Sequence, residues 1–492
     1  MSLKNVILVR PGELTVKGHE TRKRFESLLV RNMEDALRSE GLQAEVRKGY
    51  GRFYVYGPPE SVSVLRRVFG VKSLSPAVEV EFRDLEDLIG KGEEYFKEKV
   101  RGKSFAVRAR RTGDHPFTSM DVNKLLGERL LKYARKVDLE TPEVEAYVEV
   151  RDKKAYFFTE IVKAYGGLPI GSEGKVVALV SGGFDSLVAA WMALKRGAEV
   201  EFLYLNMGGQ VSKYYVTRAV KTLADKWCYG YYPRLFIVDF SEFIRELRSK
   251  VNPGLLGVVL KRYMYRAANI FARKVGAGGI VTGENLGQVS SQTLSNLNVI
   301  DKASELVVLR PVLCLDKDEI VSLAMEIGTY EASSTVKEIC GVYSVHPKTA
   351  SEIEEVRREE EKIEESVFRE TLERVEVIDV RRTRIEDLWS GNFADLDIDH
   401  IPEGATVLDV RPAEKFKLEH IPGSVNVDYW SVEEAVSRMG RDKTYIIVCD
   451  EGGLSREAAY RLRTLGYNAY SLKGGIRGFK RKSHLREAPN VS

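Results

Sequence analysis

Four cysteines in 492 residues are too few for a disulfide scaffold and fit a reducing compartment. No two of them form a Cys-x-x-Cys pair, so zinc ribbons and cysteine-ligated iron–sulfur clusters are not expected. His19, His115, His346, His400 and His420 do not fall at metal-ligand spacing, and no metal ligand is assigned among the side chains. Long apolar runs are also missing. Residues 6–9 are too brief for a signal-peptide core, and the stretch 176–194 is broken by Ser181-Gly182-Gly183 and Asp185, well short of the ~20 apolar residues of a membrane span. Net charge is small as well: 76 Lys and Arg against 72 Asp and Glu leave +4, which by itself announces no nucleic-acid partner. These deficits predict a soluble, cytoplasmic chain without membrane contact. Apolar material is plentiful, at 43% hydrophobic with 30% charged residues, which excludes low-complexity disorder. At ~150 residues per domain, the length predicts roughly three domains.

Periodicity divides the chain further. Residues 1–57 read as a strand at 6–9, a helix at 22–38 with Phe25, Leu28, Leu29, Met33 and Leu37 at helical spacing, and a strand at 53–56 ending at Gly57-Pro58-Pro59. Residues 58–166 alternate, with helices at 61–69 and 120–134 and strands at 77–82, 104–110 and 144–150. Arg108, Arg110 and Arg111 gather at the end of one strand, and residues 1–165 carry a basic excess of about six. A solvated, salt-bridged surface and a grip on nucleic acid account for that charge equally well.

Residues 167–350 open on a glycine-rich joint. The strand at 175–180 is continuously apolar after Lys175, as a strand buried on both faces of a parallel sheet should be. Further strands at 199–205, 235–238, 279–282 and 307–310, with helical patterns between, predict a doubly wound parallel α/β fold. The charged stretch 351–394 reads as an exposed helix or linker without chemistry. Residues 395–485 form a second, smaller α/β unit, with strands at 407–410, 424–427, 445–448 and 469–472 and a helix at 455–465.

Ser181-Gly182-Gly183-Phe184-Asp185-Ser186 follows the buried strand and opens a helix. Glycines there let the backbone approach a ligand, successive N–H groups form an anion nest, and the helix dipole points its positive end at the same place. Ser181 and Ser186 add hydroxyls. Asp185 cannot bind phosphate itself, so it would orient other groups or act through Mg²⁺. The loop lacks the Gly-Lys-Ser/Thr ending of a Walker A motif.

The hexapeptide resembles the SGGxDS loop of the PP-loop ATP pyrophosphatases. Residues 257–268, 281–291 and 309–317 narrow the likeness to the tRNA 4-thiouridine synthetases (tRNA sulfurtransferases, the ThiI family). The resemblance implies an α/β multidomain chain: a ferredoxin-like domain at 1–57, a THUMP RNA-binding domain at 58–166, a PP-loop adenylation domain at 167–350, a charged helical linker at 351–394 and a rhodanese domain at 395–485. It implies that ATP is held by Leu179, Val180, Ser181, Gly182, Gly183, Asp185, Ser186, Tyr204, Leu205, Lys261, Gly283 and Gln292, with Asp185 and Lys317 serving adenylation.

Cys449 ends an apolar strand and starts the loop Asp450-Glu451-Gly452-Gly453-Leu454-Ser455, closed by Arg456 at a helix start. That geometry suits a thiolate or persulfide anion. Val407-Leu-Asp409-Val-Arg411-Pro, residues 419–426 and Lys473-Gly-Gly-Ile-Arg-Gly-Phe479 resemble rhodanese signatures, which places Cys449 where rhodaneses carry sulfur. Asp450 and Glu451 oppose an anion there, so stabilisation has to come from the backbone at Gly452 and Gly453 and from Arg456. Cys340, in Ile339-Cys-Gly341, matches the family's second catalytic cysteine, implying a Cys340–Cys449 redox disulfide. Cys228 and Cys314 read as core.

The resemblance thus implies thiolation of uridine 8 in tRNA. ATP adenylates the base, sulfur from Cys449 (as persulfide, or as sulfide released from it) displaces AMP, and a cellular reductant reopens the disulfide. A cysteine desulfurase would supply the sulfur. Arg22, Lys23, Arg24, Arg108, Arg110 and Arg111 would grip the tRNA, and the family commonly forms homodimers. Two other readings stand beside this one: sulfur delivery to a carrier protein for the thiazole of thiamine, and a non-catalytic tRNA-binding protein.

Overall fold

The computed structural model describes residues 4–13, 18–336, 346–389 and 393–480. The chain folds as two compact units. One contains residues 1–173 with 195–197 and 229–231; the other contains the remainder.

The first unit is one nine-stranded sheet with helices against it. Its strands are β1 (Lys4–Pro11), β2 (Glu45–Gly49), β3 (Arg52–Tyr56), β4 (Val71–Glu81), β5 (Ser104–Thr112), β6 (Lys136–Val137), β7 (Val144–Arg151), β8 (Lys154–Phe158) and β9 (Val162–Lys163). They run β2-β3-β1-β4-β8-β7-β5-β6, with β9 on β4. Helices α1 (His19–Ser39), α2 (Ser61–Leu65), α3 (Leu85–Val100) and α4 (Ser119–Leu131) bury their apolar sides on one face. Alternation decides which strand residues meet them: Ile7 and Val9 lie under α1, whereas Val6 and Leu8 point to the opposite face, among Tyr54, Tyr56, Tyr147, Tyr156 and Phe158.

Two elements differ from the sequence reading. The helix expected at 61–69 stops at Leu65, because the chain turns toward Gly70 at φ +97°. Helix α3 was not anticipated, although Leu88, Ile89, Phe96 and Val100 sit at helical spacing and the Asp84 carboxylate caps it by accepting from Asp87 N–H at 2.9 Å.

The second unit contains two sheets. The larger has β10 (Lys175–Leu179), β11 (Glu199–Asn206), β12 (Arg234–Asp239), β13 (Gly279–Val281), β14 (Val307–Leu309) and β15 (Val375–Asp379), in the order β14-β13-β10-β11-β12-β15. All are parallel except β15, which pairs antiparallel with β12. Between them run α5 (Phe184–Lys195), α6 (Gly209–Trp227), α7 (Ser241–Lys250), α8 (Leu256–Val275), α9 (Leu294–Asp301), α10 (Lys317–Glu326), α11 (Tyr330–Ser334), α12 (Ile353–Glu360) and α13 (Glu365–Glu373). This is the doubly wound arrangement the apolar strand at 175–180 predicts.

The charged stretch after residue 350 is a correction to the exposed-linker reading. Val356, Phe368 and Leu372 are buried in the core, Glu360 accepts from Arg262 at 2.8 and 3.0 Å, and β15 extends the sheet. Its charges solvate one side of α12 and α13 while the few apolar residues seal the other.

The smaller sheet has β16 (Asp397–Ile398), β17 (Thr406–Asp409), β18 (Val425–Asn426), β19 (Thr444–Val448) and β20 (Asn468–Leu472), all parallel in the order β16-β20-β19-β17-β18. Helices α14 (Ile385–Leu388), α15 (Ala413–Leu418), α16 (Val432–Met439) and α17 (Gly453–Thr464) complete it. Its helix α17 packs on α6 of the larger sheet.

At that contact Glu457 is buried, and its carboxylate accepts the Val211 N–H at 2.8 Å, at the start of α6. Burial pushes its pKa above 4.5, against the opposing pull of the Val211 and Gln210 N–H groups and Arg461, with Asp239 adding to the rise. A carboxyl whose folded-state pKa is raised stabilises the fold fully below about 4.5, and that contribution is lost as pH rises through the folded value. Glu457→Gln should therefore flatten the decline in denaturation midpoint above pH 4.5 while keeping an acceptor for Val211. An unchanged pH profile in guanidinium titrations would refute this.

Candidate active site

In an open parallel sheet, ligands bind beyond the carboxyl ends of the strands, and both sheets of the second unit place chemistry there. Beyond β10 and β11 lies a cavity of about 440 Å³. Of the residues expected to hold nucleotide, all but Gly182 and Gly183 line it: Leu179, Val180, Ser181, Asp185, Ser186, Tyr204, Leu205, Lys261, Gly283 and Gln292. The two glycines shape the loop from behind. Gly182 has φ +77°, and the loop braces itself, Ser181 N–H donating to Ser186 Oγ at 3.3 Å and Ser186 Oγ to the Gly183 carbonyl at 3.2 Å. Gly283 is required by proximity: a Cβ there would fall 2.5 Å from Asp185 C and Ser186 N, both backbone atoms.

Asp185 and Lys317 are 132 residues apart in sequence and adjacent in space. Lys317 Nζ lies 2.8 and 2.9 Å from the two Asp185 oxygens, and Gln288 Nε2 donates to the same carboxylate at 2.9 Å. Asp185 is buried and Lys317 is half-exposed, so the lysine sits at the mouth of the loop with a carboxylate fixing its position.

Deeper in the wall, Glu284 is buried and accepts from Arg310 Nε at 2.9 Å, Thr282 Oγ1 at 3.2 Å and the Tyr265 hydroxyl, with Lys261 Nζ 3.5 Å away. Burial opposes its charge, but Lys261, Tyr265 and Arg310 outweigh burial and hold the carboxyl below its usual range. Burial and then Glu284 push the Tyr265 hydroxyl far up, so it remains a donor. Lys261 is thereby poised on an internal carboxylate at the cavity wall. Gln292 braces the 285–292 segment of the wall, its side-chain carbonyl accepting from Asn285 N–H at 3.3 Å.

Tyr265, Glu284, Gln288 and Arg477 also line the cavity. The first three lie inside or beside stretches singled out in the sequence, but nothing there separates a buried carboxylate from a surface one. Arg477 comes from the smaller sheet's domain; it lies inside the Lys473–Phe479 signature, but nothing in that motif points it to the nucleotide cavity.

Beyond β19, Cys449 is 1% exposed. Gly452 N–H donates to its sulfur at 3.2 Å, and Ser455 Oγ lies 3.3 Å from it, itself 2.8 Å from Ser471 Oγ. Helix α17 begins at Gly453 and points its N-terminal end at the same sulfur. Asp450 and Glu451 do not oppose the anion freely. Lys415 Nζ is 2.9 Å from Asp450 with Arg411 at 3.6 Å, and Glu451 pairs with Arg477.

Arg456 interacts with Cys449 through charge and does not touch its sulfur. Its Nε donates to both Asp397 oxygens at 2.8 and 2.9 Å, Nη1 donates to the Thr335 carbonyl at 3.1 Å, and the guanidinium lies over the Tyr215 ring. The sulfur's direct contacts are thus Gly452 and Ser455, and Arg456 ties this domain to the larger sheet's domain. Cys340 and the disulfide expected from it lie outside the described residues. Cys228 is buried as expected, but Cys314 is exposed, since its apolar neighbours sit in a surface turn rather than a strand.

The basic residues of the first unit do not form one strip. Arg108 and Arg110 share the sheet face without helices, Arg108 donating to Glu145 at 3.2 Å and Arg110 paired in register with Glu149. Arg111 points to the other face, bonding the Gly113 carbonyl at 2.9 Å. On α1, Arg22 holds Glu26 at 2.8 Å, Arg24 holds the Ser172 carbonyl at 3.1 Å, and Lys23 is exposed.

Among the described residues no group of three or more His, Cys, Asp or Glu gathers for a metal, and no helix is long and apolar enough to cross a membrane. A Mg²⁺ ion accompanying a nucleotide needs only one or two protein carboxylates, the rest of its shell being water and phosphate oxygens. Asp185 fits that need.

Residues 171–365 match the family described as thiamine biosynthesis protein (ThiI), 6–75 the ThiI ferredoxin-like domain, 82–160 the THUMP domain and 394–482 the rhodanese-like domain. The chain is 42% identical over 472 residues to a tRNA sulfurtransferase of Pyrobaculum aerophilum, covering 95% of this chain and 96% of that one. It is 35% identical over 489 residues to a tRNA sulfurtransferase of Thermoplasma acidophilum, covering 99% and 98%. Among solved structures it is similar to a 4-thiouridine synthetase in complex with RNA and bound ATP: TM-score 0.67, 31% identity, 76% of this chain and 99% of that one.

Proposed function

The chain belongs to the tRNA sulfurtransferase (ThiI) family, and we propose that it adenylates uridine 8 of tRNA in the cavity beyond β10 and transfers sulfur from Cys449 to give 4-thiouridine. It is a sulfurtransferase enzyme built from ferredoxin-like, THUMP, PP-loop and rhodanese domains. The observation that carries this reading is the joining of two chemistries in one compact unit. The Ser181–Ser186 loop with its Asp185–Lys317 pair, and the Cys449 loop, are tied by Glu457 to Val211 and by Arg456 to Thr335.

In this scheme uridine O4 attacks the α-phosphorus of ATP, the α–β phosphoanhydride bond breaks and pyrophosphate leaves. Adenylation is needed because a carbonyl oxygen is a poor leaving group and AMP a good one. The Ser181–Ser186 loop holds the phosphates, Lys317 counters the charge that develops on the α-phosphate, and Asp185 keeps that lysine in place. Mg²⁺ held at Asp185 would neutralise phosphate charge. Cys449 receives sulfur from a cysteine desulfurase as a persulfide. The terminal sulfur adds at C4, AMP departs, and the base is left joined to Cys449 through a sulfur–sulfur bond. The Cys340 thiolate attacks the Cys449 sulfur, freeing 4-thiouridine and closing a disulfide that a cellular reductant reopens.

One feature supports the cysteine steps and another sets a condition on them. Thr335, held by Arg456, precedes Cys340 by five residues, a reach of at most about 18 Å. Cys449 is only 1% exposed, so the Gly452–Gly453 loop has to open for loading and transfer. The first unit supplies RNA contacts. Its Arg108 and Arg110, on the face without helices, suit the sugar–phosphate backbone.

The test is the composition of tRNA from cells lacking this chain. Loss of 4-thiouridine at position 8, restored by the intact gene, is the expected result. Unchanged 4-thiouridine would refute the assignment.

A further inference from the structure

Arg477 belongs to the Cys449 loop by its backbone and is also among the residues that line the nucleotide cavity. Ile476 N–H donates to the Cys449 carbonyl at 2.9 Å and Arg477 N–H to the Asp450 carbonyl at 3.2 Å, while Arg477 lines the cavity beside the Ser181–Ser186 loop's own residues. Close packing holds this segment in place: a Cβ at Gly475 would fall 2.3 Å from the Cys449 carbonyl oxygen.

The charges of the cavity give that placement meaning. Its acidic lining residues are Asp185 and Glu284, and its basic ones are Lys261 and Arg477. Lys261 lies against Glu284, and Lys317 at the rim is fixed on Asp185. Both lysines therefore already answer to a carboxylate inside the cavity. A triphosphate needs cation beyond that, and among the described lining residues Arg477 is the cation whose carboxylate partner, Glu451, lies outside the wall. The Arg477 and Glu451 side chains are 69% and 41% exposed, and so open a pair holds its members weakly. A guanidinium also matches phosphate oxygens in a bidentate fork that an ammonium cannot form.

We propose that Arg477 is a nucleotide-binding residue supplied by the rhodanese domain, leaving Glu451 to close on the phosphates of ATP. The proposal rests on the reading of the cavity as the ATP site. It makes one residue common to both chemistries: ATP engages the Arg477 side chain, whose backbone is hydrogen-bonded to the Cys449 loop at Asp450. By linkage, whatever ATP does to that loop, the state of the loop does to ATP affinity.

The experiment is equilibrium binding of ATP and of adenosine to the full-length protein in wild-type, Arg477→Ala, Arg477→Lys and Glu451→Gln forms. Arg477→Ala should weaken ATP roughly 10-fold or more, the range of a charge-assisted phosphate contact, and leave adenosine affinity unchanged. Arg477→Lys should recover part of the loss, and Glu451→Gln should bind ATP as tightly as wild type or more so, because it frees the guanidinium. ATP affinity unaltered by Arg477→Ala overturns the inference and leaves the ATP reading standing. So does a loss shared equally by adenosine, or by Glu451→Gln, since either marks a structural tie. Failure of the wild-type protein to bind ATP overturns the ATP reading and this inference with it.

Discussion

Cys449→Ser should abolish 4-thiouridine formation, by on the order of 10³-fold or more, while pyrophosphate release on mixing with ATP and tRNA continues for at least the first turnover. A serine hydroxyl cannot accept sulfane sulfur as a persulfide, so the adenylated base has no donor. The substitution is small in structural terms. The side chain is buried beside Ser455 and Ser471, whose hydroxyls give the new Oγ hydrogen-bonding company, so the protein should remain folded. Mass analysis of the tRNA, with the circular dichroism spectrum as a control, separates the outcomes. Normal thiolation by the variant would remove the rhodanese domain from the reaction.

Lys317→Ala should slow pyrophosphate release about 10²- to 10³-fold, with a much smaller effect on ATP affinity, because its charge is needed most where negative charge grows in the transition state. Removing it also leaves Asp185 buried with only Gln288 among its two described side-chain partners. The two residues are in contact, so their effects should not add: Asp185→Asn combined with Lys317→Ala should cost much less than the sum of the single losses. Rapid-quench measurement of pyrophosphate, with ATP binding measured in parallel, checks both points. An affinity loss with an unchanged rate would make the pair a binding device rather than a catalytic one.

What could be read from the sequence follows a physical pattern. The strand at 175–180 and the loop 181–186 were legible because a strand buried on both faces must be apolar throughout and a phosphate-binding turn must contain glycine. The Cys449 strand and loop were legible for the same reasons. Helix α3 was also readable, from Asp84 and the spacing of Leu88, Ile89, Phe96 and Val100. The stretch after residue 350 was not: Val356, Phe368 and Leu372 are sparse among glutamates and arginines, and only the exposed edge of β12 makes a strand of residues 375–379. Cys314 misled because an apolar pentapeptide reads as core whether it runs straight or turns at the surface. Long-range electrostatics were the least legible. Nothing local to Arg456 shows that Asp397 will claim it, and nothing local to Lys317 shows that Asp185 lies 2.8 Å away.

The account stands on ATP cleavage in the cavity beyond β10 serving sulfur transfer from Cys449, and the stoichiometry of the two events tests it most directly. Purified protein supplied with tRNA, a persulfide donor and reductant should form one AMP for each 4-thiouridine. Complete thiolation of the tRNA with no AMP formed would contradict the account.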